Sequence, residues 1–194
     1  MKPVDEIPDA SLASAACRGD QAAFAVLMRR HKGWLYQFIR RYVADRDEAY
    51  DVLQDSFVAA WRALSRFDTA RPFEAWLRRI ALNKCRDRGR RNSVRRAALR
   101  VLGLGAVSES AAPAADSAAA ADQALQRLQI AIANLPRQLK EPLVLTMLEG
   151  MSQKDAGALL GLNAKAVEMR VYRAKRQLAA VLERGDLSDI AGED

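Results

Sequence analysis

Lys165, Glu168, Met169, Tyr172, Arg173 and Arg176 recur at the spacing that puts side chains on one face of a helix. Their types suit the edges of DNA bases. Arg can bridge a guanine, Glu can accept from the cytosine amino group, and Tyr or Met can cover a thymine methyl. Arg170 and Lys175 flank the stripe, where phosphates would lie. On the opposite side Val167, Val171, Ala174, Leu178 and Val181 supply an apolar packing face. A charged outer face on an ordinary helix pair is the plain alternative. The turn chemistry just upstream favours base reading.

A second group lies earlier. Arg78, Arg79, Lys84, Arg86, Arg88, Arg90, Arg91, Arg95, Arg96 and Arg100 face a lone Asp87, a local footprint for phosphates. Phe67 and Phe73 bracket a turn-rich loop beside these cations, and aromatics next to cations can hold the unstacked bases of single-stranded DNA. Asn83 falls on or beside the apolar side of a helical stretch, where Asn is unfavourable without a task. Asp47, Glu48, Asp51 and Asp55, with Gln54, form an acidic polar face that, taken alone, reads as plain solvated surface.

The elements that must position these groups read as helices throughout. Phe24, Leu27, Met28, Leu35, Phe38, Ile39 and Tyr42 recur at helical steps. Val52, Leu53, Phe57, Ala60, Trp61 and Leu64 give a second stripe within Asp47–Leu64. The pattern breaks from Arg66 to Pro72, since Pro lacks an amide donor and disfavours helix just before it. A third helix is expected from about Phe73 through Arg91. Further helices are expected over Asp122–Leu135, closed by Pro136, and Gln138–Leu148, closed by Gly150. Pro142 sits near the start of the latter, where a missing amide costs least. Ser152 with Asp155 resembles a capping box, Gly161 suits a left-handed stop, and Asn163 can cap the next helix. Two helices joined so tightly make a helix-turn-helix, with Ala156 and Gly157 small enough for close crossing. No useful period-two run occurs, so the fold class is all-α.

Charge and composition divide the chain of 194 residues. The formal net charge is +7, but residues 1–100 carry 21 Lys and Arg against 12 Asp and Glu, and the remainder is slightly acidic. A polyanion is therefore the first partner to consider. Residues 103–121 contain Ala, Gly and Ser with Pro113, Glu109 and Asp116, and no basic residue, which reads as a mobile acidic linker. The expected organisation is a first domain over 1–100, a linker over 101–121, a second domain over 122–184 and a tail over 185–194. No signal-like start and no run of about 18 apolar residues occurs, which argues against export and membrane insertion and for the cytoplasm. Cys17 and Cys85 are two ordinary thiols, and with only His31 to add, no zinc spacing can be written.

Three ordered segments carry a resemblance. Asp47–Trp61 resembles the polymerase-binding helix of sigma-70 family proteins. Phe73–Asn83 is similar to the promoter-reading segment of their extracytoplasmic-function group. Leu135-Pro136, Gly150–Gln153 and Val171–Lys175 are similar to that group's C-terminal domain. The likeness spans about Asp20 to Leu182. It implies a sigma2-like helical bundle and a sigma4-like helix-turn-helix domain. Asp51, Gln54 and Asp55 would then meet the clamp helices of the polymerase's largest subunit, with the second-largest subunit as a further partner. The Phe67–Phe73 loop, with Ile80, Ala81 and Asn83, would pocket a flipped base of the minus-ten element of promoter DNA. Arg78, Arg79, Lys84, Arg86 and Arg88 would hold the separating strands. Lys165, Glu168, Met169, Arg170, Tyr172, Arg173 and Arg176 would serve the minus-thirty-five element. The linker would thread near the catalytic cleft, and a cognate anti-sigma protein would mask the polymerase-binding surfaces. No cofactor is implied.

Three rivals remain. A self-sufficient helix-turn-helix regulator leaves the acidic face and aromatic loop without work. A nuclease would have to hold magnesium on Asp47, Asp51 and Asp55, without a phosphate loop or metal-ligand cluster. A membrane-surface helix over Arg78–Arg100 has too small an apolar face after Leu82.

Overall fold

The computed structural model describes residues 7–101 and 117–184. Among them every regular element is helical. The chain divides at Arg96/Ala97 into two units.

The first unit begins with α1 (Asp9–Cys17), which buries Leu12, Ala13 and Ala16. α2 (Gln21–Val43) starts where the Asp20 carboxylate accepts from Ala23 N at 3.0 Å, and its last turn carries Arg40 and Arg41. α3 (Arg46–Ala63) starts the same way, Asp45 accepting from Glu48 N at 2.8 Å, with Asp47 and Glu48 in the favourable first turn. Between them Ala44 takes φ 63° and Val43 O accepts from Asp45 N at 2.8 Å. That is a γ-turn at positive φ, a strained form for a residue with a Cβ. A 3-10 turn (Leu64–Arg66) leads to the loop, and α4 runs from Phe73 to Val101. Leu27, Leu35, Phe38, Ile39, Leu77 and Leu82 are fully buried between these helices. α2 packs against both α1 and α3.

The second unit comprises α5 (Ser117–Asn134), α6 (Arg137–Leu143), a π-helical turn (Val144–Leu148), α7 (Gln153–Leu160) and α8 (Ala164–Arg184). α8 is the element against which α5, α6 and α7 pack. Val144, Leu145, Ala156, Val167 and Ala174 form the centre of its core.

Several expected bounds change. α4 continues to Val101, ten residues past the expected end at Arg91. Val101 and Ser117–Ala121 are helical rather than linker, consistent with the high helix propensity of the Ala run. The expected single helix over Gln138–Leu148 divides into α6 and the wider turn, in which Val144 O accepts from Glu149 N at 3.0 Å. Residues 102–116, most of the expected linker, and the tail over 185–194 lie outside the described residues.

Candidate nucleic-acid and polymerase interfaces

The loop before α4 is shaped by Asp68. Its carboxylate accepts from Ala70 N at 3.1 Å and from Arg71 Nε at 3.2 Å, while its carbonyl accepts from Arg71 N at 3.0 Å. Pro72 precedes α4, and its carbonyl accepts from Trp76 N. Phe67 and Phe73 bracket the loop as expected but turn inward, at 8 % and 3 % exposure. Their rings meet edge-on at 5.7 Å, and both pack on Trp76, at 4.8 and 5.5 Å. Burying the two apolar rings outweighs offering them to solvent. They therefore support the loop from beneath instead of presenting stacking faces. Ala81 is also fully buried, and Ile80 is half-buried. Asn83, expected on or beside the apolar side, is exposed, and its carbonyl accepts from Arg86 Nη1 at 3.1 Å.

The basic residues fall into two sets. Arg79 is exposed and Lys84 half-buried, and neither is engaged by an acid among the described residues. Arg78, in contrast, is largely covered. It bonds to Glu74 at 2.7 Å, and its guanidinium lies 5.1 Å above the Trp34 ring. Arg88 reaches across to α3, 2.8 Å from Asp51 and 3.6 Å from Glu48. Arg90 pairs with Asp87. The cations expected to hold DNA strands are thus not equivalent.

On α3, Asp51, Gln54 and Asp55 are all exposed. The same helix exposes Tyr50, Val58 and Trp61; Trp61, expected in the apolar stripe, packs on Phe24 at 5.0 Å yet stays 37 % exposed. Tyr50 stacks on Tyr36 of α2 with ring centroids 4.5 Å apart. Partial burial and the neighbouring Tyr50 hold the Tyr36 phenol above its ordinary value, against the opposing pull of Arg40 and Arg46. Glu48 accepts from Asn92 Nδ2 at 2.8 Å, tying the far part of α4 to the start of α3.

In the second unit the helix-turn-helix is fixed by local bonds. Ser152 Oγ accepts from Asp155 N at 3.1 Å and donates to the Asp155 carboxylate at 2.6 Å. α7 stops at Gly161 with φ 72°, and Asn163 caps α8 by accepting from Ala166 N at 2.7 Å. A Cβ on Gly157 would lie 2.5 Å from the Leu162 carbonyl oxygen, so the small residue is required by the turn backbone itself. Val167, Ala174, Leu178 and Val181 are buried and Val171 half-buried. Lys165, Glu168, Met169, Tyr172, Arg173 and Arg176 are exposed together, with Arg170 half-buried beside them. Lys165 and Glu168 pair at 2.9 Å, and the Arg176 guanidinium lies 6.0 Å from the Tyr172 ring centre.

Among the described residues no group of three or more His, Cys, Asp and Glu is placed to hold a metal. No helix of the described residues is long and apolar enough to cross a membrane.

Comparison with known proteins matches both units in chain order. The family model "Sigma-70 region 2" matches residues 27–105, and "Sigma-70, region 4" matches residues 125–178. The RNA polymerase sigma factor CnrH of Cupriavidus metallidurans is 42 % identical, over 94 % of this chain and 97 % of its own. The ECF RNA polymerase sigma factor SigM of Mycobacterium tuberculosis is 32 % identical, over 91 % and 86 %. The solved structure of CnrH in complex with the cytosolic domain of CnrY aligns with a TM-score of 0.64 at 39 % identity, covering 91 % of this chain and 97 % of that one. With both regions matched in order and whole-length relatives above 30 % identity, this chain belongs to the extracytoplasmic-function group of the sigma-70 family of RNA polymerase sigma factors.

Proposed function

We propose that this sigma factor divides promoter recognition between its two units. The first binds core polymerase and opens the minus-ten region, and the second reads the minus-thirty-five duplex. The observation that carries this is the exposed face of α8, base-addressing along its length, in a chain whose other unit has unpaired Arg79 and Lys84 beside a loop built on aromatics. Arg79, Lys84 and Asn83, with Arg86 bonded to Asn83, are offered on this surface to a separated strand. Phe67, Phe73 and Ala81 act from below by fixing the loop and the first turns of α4. Separate expression would take residues 1–101 and 117–184 rather than 1–100 and 122–184, so that α4 and α5 stay whole.

On α3, Asp51, Gln54 and Asp55 meet the polymerase clamp, with Tyr50, Val58 and Trp61 supplying apolar area at the same contact. The solved relative CnrH was captured with the cytosolic domain of CnrY. By that likeness, a cognate anti-sigma protein controls this chain by covering its polymerase-binding surfaces. The chain works in the cytoplasm by binding, without a reaction of its own.

Strand opening costs a few kcal/mol per flipped base, and polymerase contacts supply part of the return. The free chain should accordingly bind promoter duplex weakly. The test is transcription in vitro with core polymerase, with and without the chain. Promoter-specific transcripts that require the chain are expected. No initiation on any template by well-folded protein, or tight duplex binding by the free chain without effect on polymerase, would overturn the reading.

A further inference from the structure

α1 lies before the first matched family segment, yet it is connected to both sides of the Phe67–Phe73 loop, by a hydrogen bond to Leu64 and through His31 to Phe73. At its N-terminal end, Asp9 takes two partners from α2. One carboxylate oxygen accepts from Arg30 at 2.7 Å, and the other lies 2.6 Å from His31 Nε2. His31 is buried, and its Nδ1 accepts from Trp34 Nε1 at 2.7 Å. Indole N–H can only donate, so Nδ1 is the acceptor and Nε2 carries the hydrogen directed at Asp9. The imidazole is thereby held in one tautomer and one orientation. Phe73 packs on that ring at 5.2 Å, and Trp34 receives Arg78 on its face. At the other end of α1, Cys17 Sγ lies 3.1 Å from Leu64 O, the carbonyl that also accepts from Phe67 N at 3.0 Å. One short helix therefore fixes the entry of the loop through Leu64 and its exit through His31 and Phe73.

We propose that α1 is a brace for the strand-opening loop, with Asp9 as a positioning residue that acts through His31 on Phe73. The inference rests on the reading of that loop as the single-strand contact. Asp9 touches no DNA in this scheme. Its carboxylate sets the imidazole, the imidazole sets the Phe73 ring, and the ring sets the first turn of α4, the helix whose second and third turns carry Arg79 and Asn83. The small apolar face of α1, Leu12, Ala13 and Ala16, anchors the brace to the unit. The polymerase-facing residues of α3 stand outside this chain of contacts.

The test uses the full chain assembled with core polymerase. The probe is a fluorescent single-stranded oligonucleotide carrying the non-template sequence of a template that this holoenzyme transcribes. Asp9→Ala should weaken oligonucleotide binding about fivefold, near the lower bound of one base's stacking contribution. It should leave affinity for core polymerase unchanged and should shift the tryptophan emission, since Trp34 and Trp76 report on the His31–Phe73 cluster. Asp9→Asn retains an oxygen for His31 Nε2–H and should restore most of the binding. His31→Gln keeps a donor toward Asp9 but removes the ring under Phe73, so it should reproduce the loss and serves if Asp9→Ala does not fold. Wild-type oligonucleotide binding in both Asp9→Ala and His31→Gln, while Arg79→Ala weakens it, would overturn the brace and leave the loop reading standing. Equal losses in polymerase and oligonucleotide affinity would reduce Asp9 to general stability and also overturn it. If Arg79→Ala, Asn83→Ala and Asp9→Ala all bind as wild type, the loop reading itself falls, and the brace with it.

Discussion

Arg88 Nη2 stands 2.8 Å from Asp51 Oδ2, so a cation of α4 is paired with an acid of α3. Neither group is free for its proposed partner without giving up the other. Each phosphate-bound cation contributes about 0.7 to the salt slope of single-strand binding. Arg79→Ala should lower the slope by about that amount, whereas Arg88→Ala should lower it by clearly less. Titrating single-strand binding of the holoenzyme against salt measures both. Equal slopes for the two variants would show that the Arg88–Asp51 pair opens on DNA.

Glu168 holds Lys165 at 2.9 Å on the exposed face of α8. Glu168→Ala should release Lys165 to a phosphate, raise affinity for duplex of any sequence and steepen its salt dependence by about one unit. Arg173→Ala should instead weaken the preferred promoter by about 1–3 kcal/mol and relax base choice near its contact. Competition binding of the second unit to a duplex library resolves these outcomes. A Glu168→Ala variant with unchanged non-specific affinity would contradict the first.

Gly157 has the Leu162 carbonyl where its Cβ would go, at 2.5 Å, and backbone cannot swing aside as a flexible side chain could. Gly157→Ala should cost the second unit about 2 kcal/mol, in the range of overpacking. Denaturant unfolding of the isolated unit over residues 117–184 checks this. A stability within experimental error of wild type would show that the α7–α8 turn is softer than its geometry indicates.

Ala44 closes the α2–α3 connection at φ 63°, where an L side chain is strained and glycine is not. Ala44→Gly should therefore stabilise the first unit by about 1 kcal/mol, read as a higher denaturant midpoint with an unchanged slope. A lower midpoint would mean that the entropy of the unfolded glycine outweighs the relieved strain.

Local chemistry was legible in the sequence where the partner lies within a few residues. Ser152 with Asp155, Gly161 and Asn163 each perform the capping or stopping role their types suggest, because those bonds span one turn. What depended on distant partners was not. Phe67 and Phe73 at a loop edge can face either way, and the choice is made by Trp76 and by His31 from another helix. The length of α4 was missed because no apolar stripe continues past Leu82. Its later turns are helped by the Asn92–Glu48 bond to α3, which periodicity cannot reveal. α1 leaves no periodic signature because its buried face is one Leu and two Ala. Asn83 looked like an apolar-side residue because its position is one step from Leu82, and a hundred degrees of rotation separates neighbours on a helix.

The outward residues of α8 bear almost none of the weight of its packing, which falls on Val167, Ala174, Leu178 and Val181. The exposed face and the scaffold are thus encoded in interleaved but separable sets of codons. On the proposed base-reading role, substitutions at 165, 168, 169, 172, 173 and 176 can explore new promoter sequences with little risk of unfolding the protein. Duplicated copies of such a gene could part company in the sites they address while keeping one fold, and a designer could retarget the helix by the same route.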